Sequence, residues 1–94
     1  MKTMTKAEKA HDTKTFRAAR EISARIAELP SPVTDEQVLE VMQSHKCSKR
    51  VLCDAFWVMD NEPSRFANYQ TWHPRLRSLR NNPNVGERMF ALFH

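Results

Sequence analysis

A compact, mostly α domain of four or five helices is the fold class this chain predicts, with one short terminal segment left open between helix and strand. Three observations carry the prediction. Apolar residues recur at helical spacing in several separate stretches, and polar capping residues stand at the heads of those stretches. Prolines and asparagines, not glycines, divide them, and Gly86 is the one glycine among 94 residues. A chain of this length forms a single domain.

Residues 1–12, with Lys2, Lys6 and Lys9, are polar without strong periodicity and read as a flexible basic arm before a helical domain over 13–94. From Thr13 the pattern changes. Phe16, Ala19, Ile22, Ile26 and Leu29 form one stripe of an amphipathic helix over about 14–29, with Lys14, Arg17, Arg20, Glu21, Arg25 and Glu28 facing away. That stripe is long enough for a core face or for the seam of a homodimer. Pro30-Ser31-Pro32 ends the helix, because proline lacks the N–H and disfavours helix in the residue before it.

The run Thr34-Asp35-Glu36-Gln37 fits a capping box, and the two acids suit the positive end of a helix dipole. Val38, Val41 and Met42 then line an inward face to about His45. After a short Lys46-Cys47 turn, Ser48 caps a helix over 48–58 with Val51, Leu52, Ala55, Phe56 and Met59 inward. Residues 60–70 read as a loop with one helical turn around Arg65 to Tyr69. Thr71 is set to cap a helix over 72–81, with Pro74 tolerated in its first turn, where backbone donors lack helical partners. Asn81-Asn82-Pro83-Asn84 is a stop and turn signal. Five residues, Met89 to Phe93, are too few for periodicity to choose between a buried strand and a last helix.

Composition narrows the function classes. A single glycine excludes a Gly-rich phosphate loop and a Gly-x-Ser-x-Gly elbow. No apolar run approaches the ~20 residues of a membrane span, and the start has no apolar core of a signal peptide, so a cytoplasmic location is expected. Cys47 and Cys53 are too few for a disulfide scaffold, and His45-x-Cys47-x5-Cys53 lacks the paired ligands of a structural zinc site. His11, His45, His73 and His94 are scattered, with no nucleophile or orienting partner in their local sequence. A non-enzymatic protein without cofactor or metal is the expectation.

Charge points to a partner. Residues 1–30 carry seven Lys/Arg against four Asp/Glu (+3), residues 31–60 three against five (−2), and residues 61–94 five against two (+3). Every cation of the last third is an arginine: Arg65, Arg75, Arg77, Arg80 and Arg88. The planar guanidinium makes forked contacts with phosphate and guanine, which favours a nucleic-acid partner.

The order of segments from Thr34 to Asn84 resembles the helix-turn-helix superfamily, in particular its winged-helix branch. Val38-Leu39-Glu40-Val41-Met42 matches the first helix, Ser48 to Phe56 the second, and His73-Pro74-Arg75-Leu76-Arg77-Ser78-Leu79-Arg80 the third. The resemblance implies that the third helix enters the major groove of double-stranded DNA with its N-terminal side chains at base edges. Carried over, it assigns Gln70, Thr71, His73, Arg75, Arg77 and Arg80 to DNA, with Lys49 and Arg50 of the second helix beside them. It departs from the pattern in the thirteen residues, Met59 to Thr71, between second and third helices, and in the ten or so left for a wing after Pro83. The implied role is a small transcriptional regulator of phage or plasmid type.

A second function class fits the aromatic residues. Trp57, Phe66, Tyr69 and Trp72 cluster around the middle loop, where they either complete the core or, beside arginines, form the hot spot of a small modulator that covers a host protein.

Overall fold

The computed structural model describes residues 5–94, and its five helices follow the predicted order: α1 (Lys6–Ala27), α2 (Asp35–Ser44), α3 (Lys49–Asn61), α4 (Tyr69–Arg80) and α5 (Gly86–Phe93). Single 3₁₀ turns at Pro63–Arg65 and Pro83–Val85 join the last three. No strand occurs among the described residues, so the terminal strand or degenerate wing is not formed, and the chain ends in a helix. The physical reason is the turn: Asn82 Oδ1 accepts from the Asn84 N–H at 2.9 Å, and Val85 is buried. The chain therefore turns back onto the bundle, and Phe93 meets Phe56 of α3 with ring centroids 5.5 Å apart.

The expected arm is corrected in the same way. The first four residues lie outside the described residues, but from Lys6 onward the chain is helical. Thr5 Oγ1 accepts from the Glu8 N–H at 3.2 Å, a cap that starts α1 well before its apolar stripe. Lys6, Ala7, Glu8, Lys9 and Ala10 are strong helix formers, so the helix continues without packing to hold it. His11 then ties this end to α3, with Nε2 2.5 Å from Asp54 Oδ2. At about 1.5 Å per residue, α1 accounts for most of the 43 Å long dimension of the molecule.

The caps of α2 and α3 stand where the sequence places them. Gln37 N–H donates to Thr34 Oγ1 at 3.2 Å while Thr34 N–H donates to Gln37 Oε1 at 2.9 Å. Val51 N–H donates to Ser48 Oγ at 3.2 Å. α4 differs. It begins at Tyr69, three residues earlier than predicted, with Asn68 in the left-handed region (φ 57°) as its N-cap. Thr71 does not cap; its hydroxyl donates to the Asn68 carbonyl at 2.7 Å. Pro74 thus lies a turn deeper than expected and leaves the exposed Gln70 carbonyl without a helical donor.

The core sits where α1, α2, α3 and α4 meet. Ala19, Ile22 and Ile26 from α1 close on Val38, Leu39 and Met42 from α2, Leu52, Ala55 and Met59 from α3, and Trp72, Leu76 and Leu79 from α4. The residues of the predicted stripe therefore face the core of their own chain, Ala19, Ile22 and Ile26 within it and Phe16 and Leu29 packed against it. Trp72 is fully buried, and its Nε1–H donates to the Ala67 carbonyl at 3.2 Å, so the indole is satisfied at both its apolar and polar ends. Phe66 packs between Trp72 and Phe16, with centroids 6.2 and 6.4 Å away. Of the four clustered aromatics, only Trp57 stands out in solvent, 58% exposed; Tyr69 is half-buried. No helix among the described residues is long and apolar enough to cross a membrane.

Candidate nucleic-acid interface

The eight residues assigned to DNA separate into three groups. His73, Arg75, Arg77 and Arg80 are turned toward other helices. Asp60, at the last turn of α3, is 2% exposed. Arg80 Nη1 lies 2.5 Å from Asp60 Oδ2, and Arg77 Nε lies 3.5 Å from Oδ1. His73 Nε2–H donates to the Asp60 carbonyl oxygen at 3.0 Å and lies 3.8 Å from Oδ1. A buried carboxylate is costly unless compensated, and two arginines from successive turns of α4 face this one, although its Oδ1 accepts no hydrogen bond. Arg75 Nη1 lies 3.6 Å from Asp35 Oδ1 at the head of α2. Asp35 Oδ2 also accepts from Asn82 Nδ2 at 2.9 Å and Ser78 Oγ at 3.3 Å. Further along, Arg88 Nη1 lies 2.6 Å from Glu36 Oε2. The arginine bias of the last third is thus largely a set of clamps that hold α4 and α5 against α2 and α3.

Gln70 and Thr71 form the second group, exposed at the start of α4 and remote in sequence from any free cation. Lys49 and Arg50 form the third. Both are exposed in the first turn of α3, and neither has a carboxylate within ion-pair distance among the described residues. Arg50 lines a shallow hollow with Glu8, His11 and Asp12, whereas Lys49 adjoins the turn that carries Lys46.

That turn, residues 45–48, forms one wall of a groove of about 630 Å³. The other wall is the N-terminal half of α1. Its lining includes Lys14, Arg17, His45 and Lys46, with Glu21 as its one acid. The groove exists because α1 presents Ala7, Ala10 and Ala18 toward the turn, side chains too short to fill the gap. Glu21 Oε2 lies 3.6 Å from His45 Nε2 across one end. Lys14, Arg17 and Lys46 have no carboxylate within ion-pair distance among the described residues. The head of α3, capped by Ser48, adds the positive end of its dipole to the same side.

Sequence reasoning places Lys14 and Arg17 on the outward face of the first helix but assigns them no partner. The signal is present as one helical stripe, 7, 10, 14, 17 and 18, that combines alanines with cations. Cys47, exposed in the turn, has its thiol pushed up by the partial burial around it and stays protonated at neutral pH. No group of three or more His, Cys, Asp or Glu side chains that could hold a metal ion occurs among the described residues. Comparison with known proteins gives no match: no family model, no curated protein and no solved structure matches this chain.

Proposed function

We propose that this chain is a small, non-enzymatic DNA-binding protein, a regulator of helix-turn-helix character, whose contact face is the α1 groove and the head of α3. The observation that carries the reading is the division of the cations. Arginines of α4 hold carboxylates of their own chain, whereas Lys14, Arg17 and Lys46 line one groove without such partners among the described residues, and Lys49 follows in the first turn of α3. The sequence α2, residues 45–48, α3 also has the short connection of a helix-turn-helix pair, with α3 in the second place. In this reading α3, not α4, presents its first turn to the duplex, and the cations of α1 hold the flanking phosphates.

Fluorescence anisotropy with a labelled duplex, titrated at two salt concentrations, tests the reading. Binding that weakens with salt, by a log–log slope of about −0.9 for each neutralised phosphate, is expected. No binding at about 50 mM salt, where non-specific contacts are already strong, overturns it. A second reading, a modulator that covers a host protein, rests on Trp57 and Phe90, which are 58% and 65% exposed.

A further inference from the structure

Glu21 is the one acid in a groove whose other charged residues are cations, and it stands opposite a side chain whose charge depends on pH. His45 Nε2 lies 3.6 Å from Glu21 Oε2, and both residues belong to the lining. The imidazole is mostly covered, with 11% of its side chain exposed, whereas the carboxylate is half open to solvent. His45 is also the C-cap residue of α2, a helix with no basic residue in its last turn, so it stands at the negative end of that dipole. Cations reach this corner from the other elements. Lys14 and Arg17 of α1 line the groove, and Arg25 of α1 is held at the end of α2, where Nη2 donates to Ser44 Oγ at 2.8 Å and Nη1 to the Val41 carbonyl at 3.4 Å. Lys46 and the protonated Cys47 adjoin His45 in the turn, and α3 adds its capped, positive head. His11 lines the groove as well, but its Nε2 is tied to Asp54 of α3.

Histidine side chains change charge between about pH 5 and 8, so the charge of this groove is not fixed. With the imidazole neutral, Glu21 stands uncompensated among Lys14, Arg17 and Lys46 and offsets one of them. With the imidazole charged, His45 pairs with Glu21, and the three cations are left to a polyanion. From this arrangement we infer that the Glu21–His45 pair is a proton-linked gate on the groove, which masks the acid and tightens duplex binding as pH falls. Linkage makes the coupling reciprocal. In the free chain, Glu21 and the α2 dipole favour the charged imidazole, while Lys14, Arg17, Arg25, Lys46 and the head of α3 oppose it. Phosphates laid along the groove offset the opposing cations, so binding takes up protons at His45. The inference rests on the DNA reading of the same groove and adds its regulation.

Anisotropy of a labelled duplex, at one fixed salt concentration and at about pH 5.5 and pH 8, tests the inference. The wild type is expected to bind about twofold to fivefold more tightly at the lower pH, the size of one partly exposed charge interaction. H45Q is expected to bind equally at both; the other three histidines remain in that variant, so a flat profile assigns the proton to His45. E21Q, which removes the acid, is expected to bind more tightly than wild type at pH 8 by a similar factor. As a second readout, the NMR titration of the His45 imidazole, identified by its absence in H45Q, is expected to move its midpoint to higher pH when duplex is added. Salt-dependent binding with no pH dependence overturns this inference and leaves the DNA reading standing, whereas no binding at either pH overturns both. An H45Q chain that keeps the wild-type pH dependence, an E21Q chain that binds as wild type at pH 8, or an imidazole midpoint that duplex leaves unmoved also overturns the inference.

Discussion

Asp60 shows how one residue decides what its neighbours can do. It lies on the last turn of α3 with 2% exposure, and Arg80, Arg77 and His73 approach it from α4. Arg80 makes the shortest approach, 2.5 Å to Oδ2. Removing it leaves the carboxylate to Arg77 at 3.5 Å and to the backbone-bound His73. Arg80→Ala is therefore expected to destabilise the fold by about 1–3 kcal/mol, the cost of a buried polar group deprived of a partner, measured as a lower urea midpoint. Arg75→Ala is expected to cost less than about 1 kcal/mol. Its side chain is 41% exposed, and Asp35 keeps Asn82 and Ser78 as donors. Equal urea midpoints for the two variants would mean that Asp60 does not depend on Arg80. With the contact face proposed on α1 and the head of α3, neither substitution is expected to relax sequence preference.

At the scale of elements, caps and core faces are legible in the sequence and boundaries set by distant contacts are not. Thr34-Asp35-Glu36-Gln37 can be read directly because a capping box is a local device that closes on itself over four residues. Thr34→Ala is expected to cost about 1 kcal/mol, and an unchanged denaturant midpoint would contradict the cap. Leu52 and Leu76 are legible as core for the same kind of reason, helical spacing, and both are buried in the structure. Each change to alanine is expected to cost about 2–5 kcal/mol by the cavity it leaves, with thermal melting as the check. The head of α1 escapes such a reading because its first two turns have no apolar stripe; the Thr5 cap and the tie between His11 and Asp54 hold them instead. α4 starts early because Asn68 takes a left-handed turn that no pattern over 72–81 reveals. The candidate site is half legible. Lys49 and Arg50 follow from their place at a helix head. The partners of the α4 arginines, Asp35 and Asp60, are too far away in sequence to read, and the groove exists only once α1 lies beside residues 45–48.

For the whole molecule, the charge that matters is what remains after internal pairing. The formal net charge is +4, but the arginines at 75, 77, 80 and 88 each face a carboxylate of the same chain. In the proposed reading, what the surface offers to a polyanion is the cations of α1 and the turn that line the groove between them. Counter-ion release makes such a row measurable. Removing one phosphate-binding cation reduces the slope of log affinity against log salt by about one and weakens binding to all sequences alike. Lys14→Ala, Arg17→Ala and Lys46→Ala are each expected to flatten the slope by about that amount, and together by about three. All three side chains line the groove, and none has an ion-pair partner among the described residues, so the fold is expected to melt as the parent does. Arg77→Ala is the control, because its guanidinium faces Asp60 and not the groove; its slope is expected to stay at the parent value. Lys49→Ala, at the head of α3, is expected to do more than flatten the slope. If that turn meets base edges, the ratio of specific to non-specific binding falls as well, by about 1–3 kcal/mol of discrimination. Should the Arg77 variant flatten the slope while the three groove variants leave it unchanged, the contact face lies on α4, and its arginines exchange their own carboxylates for phosphate on binding.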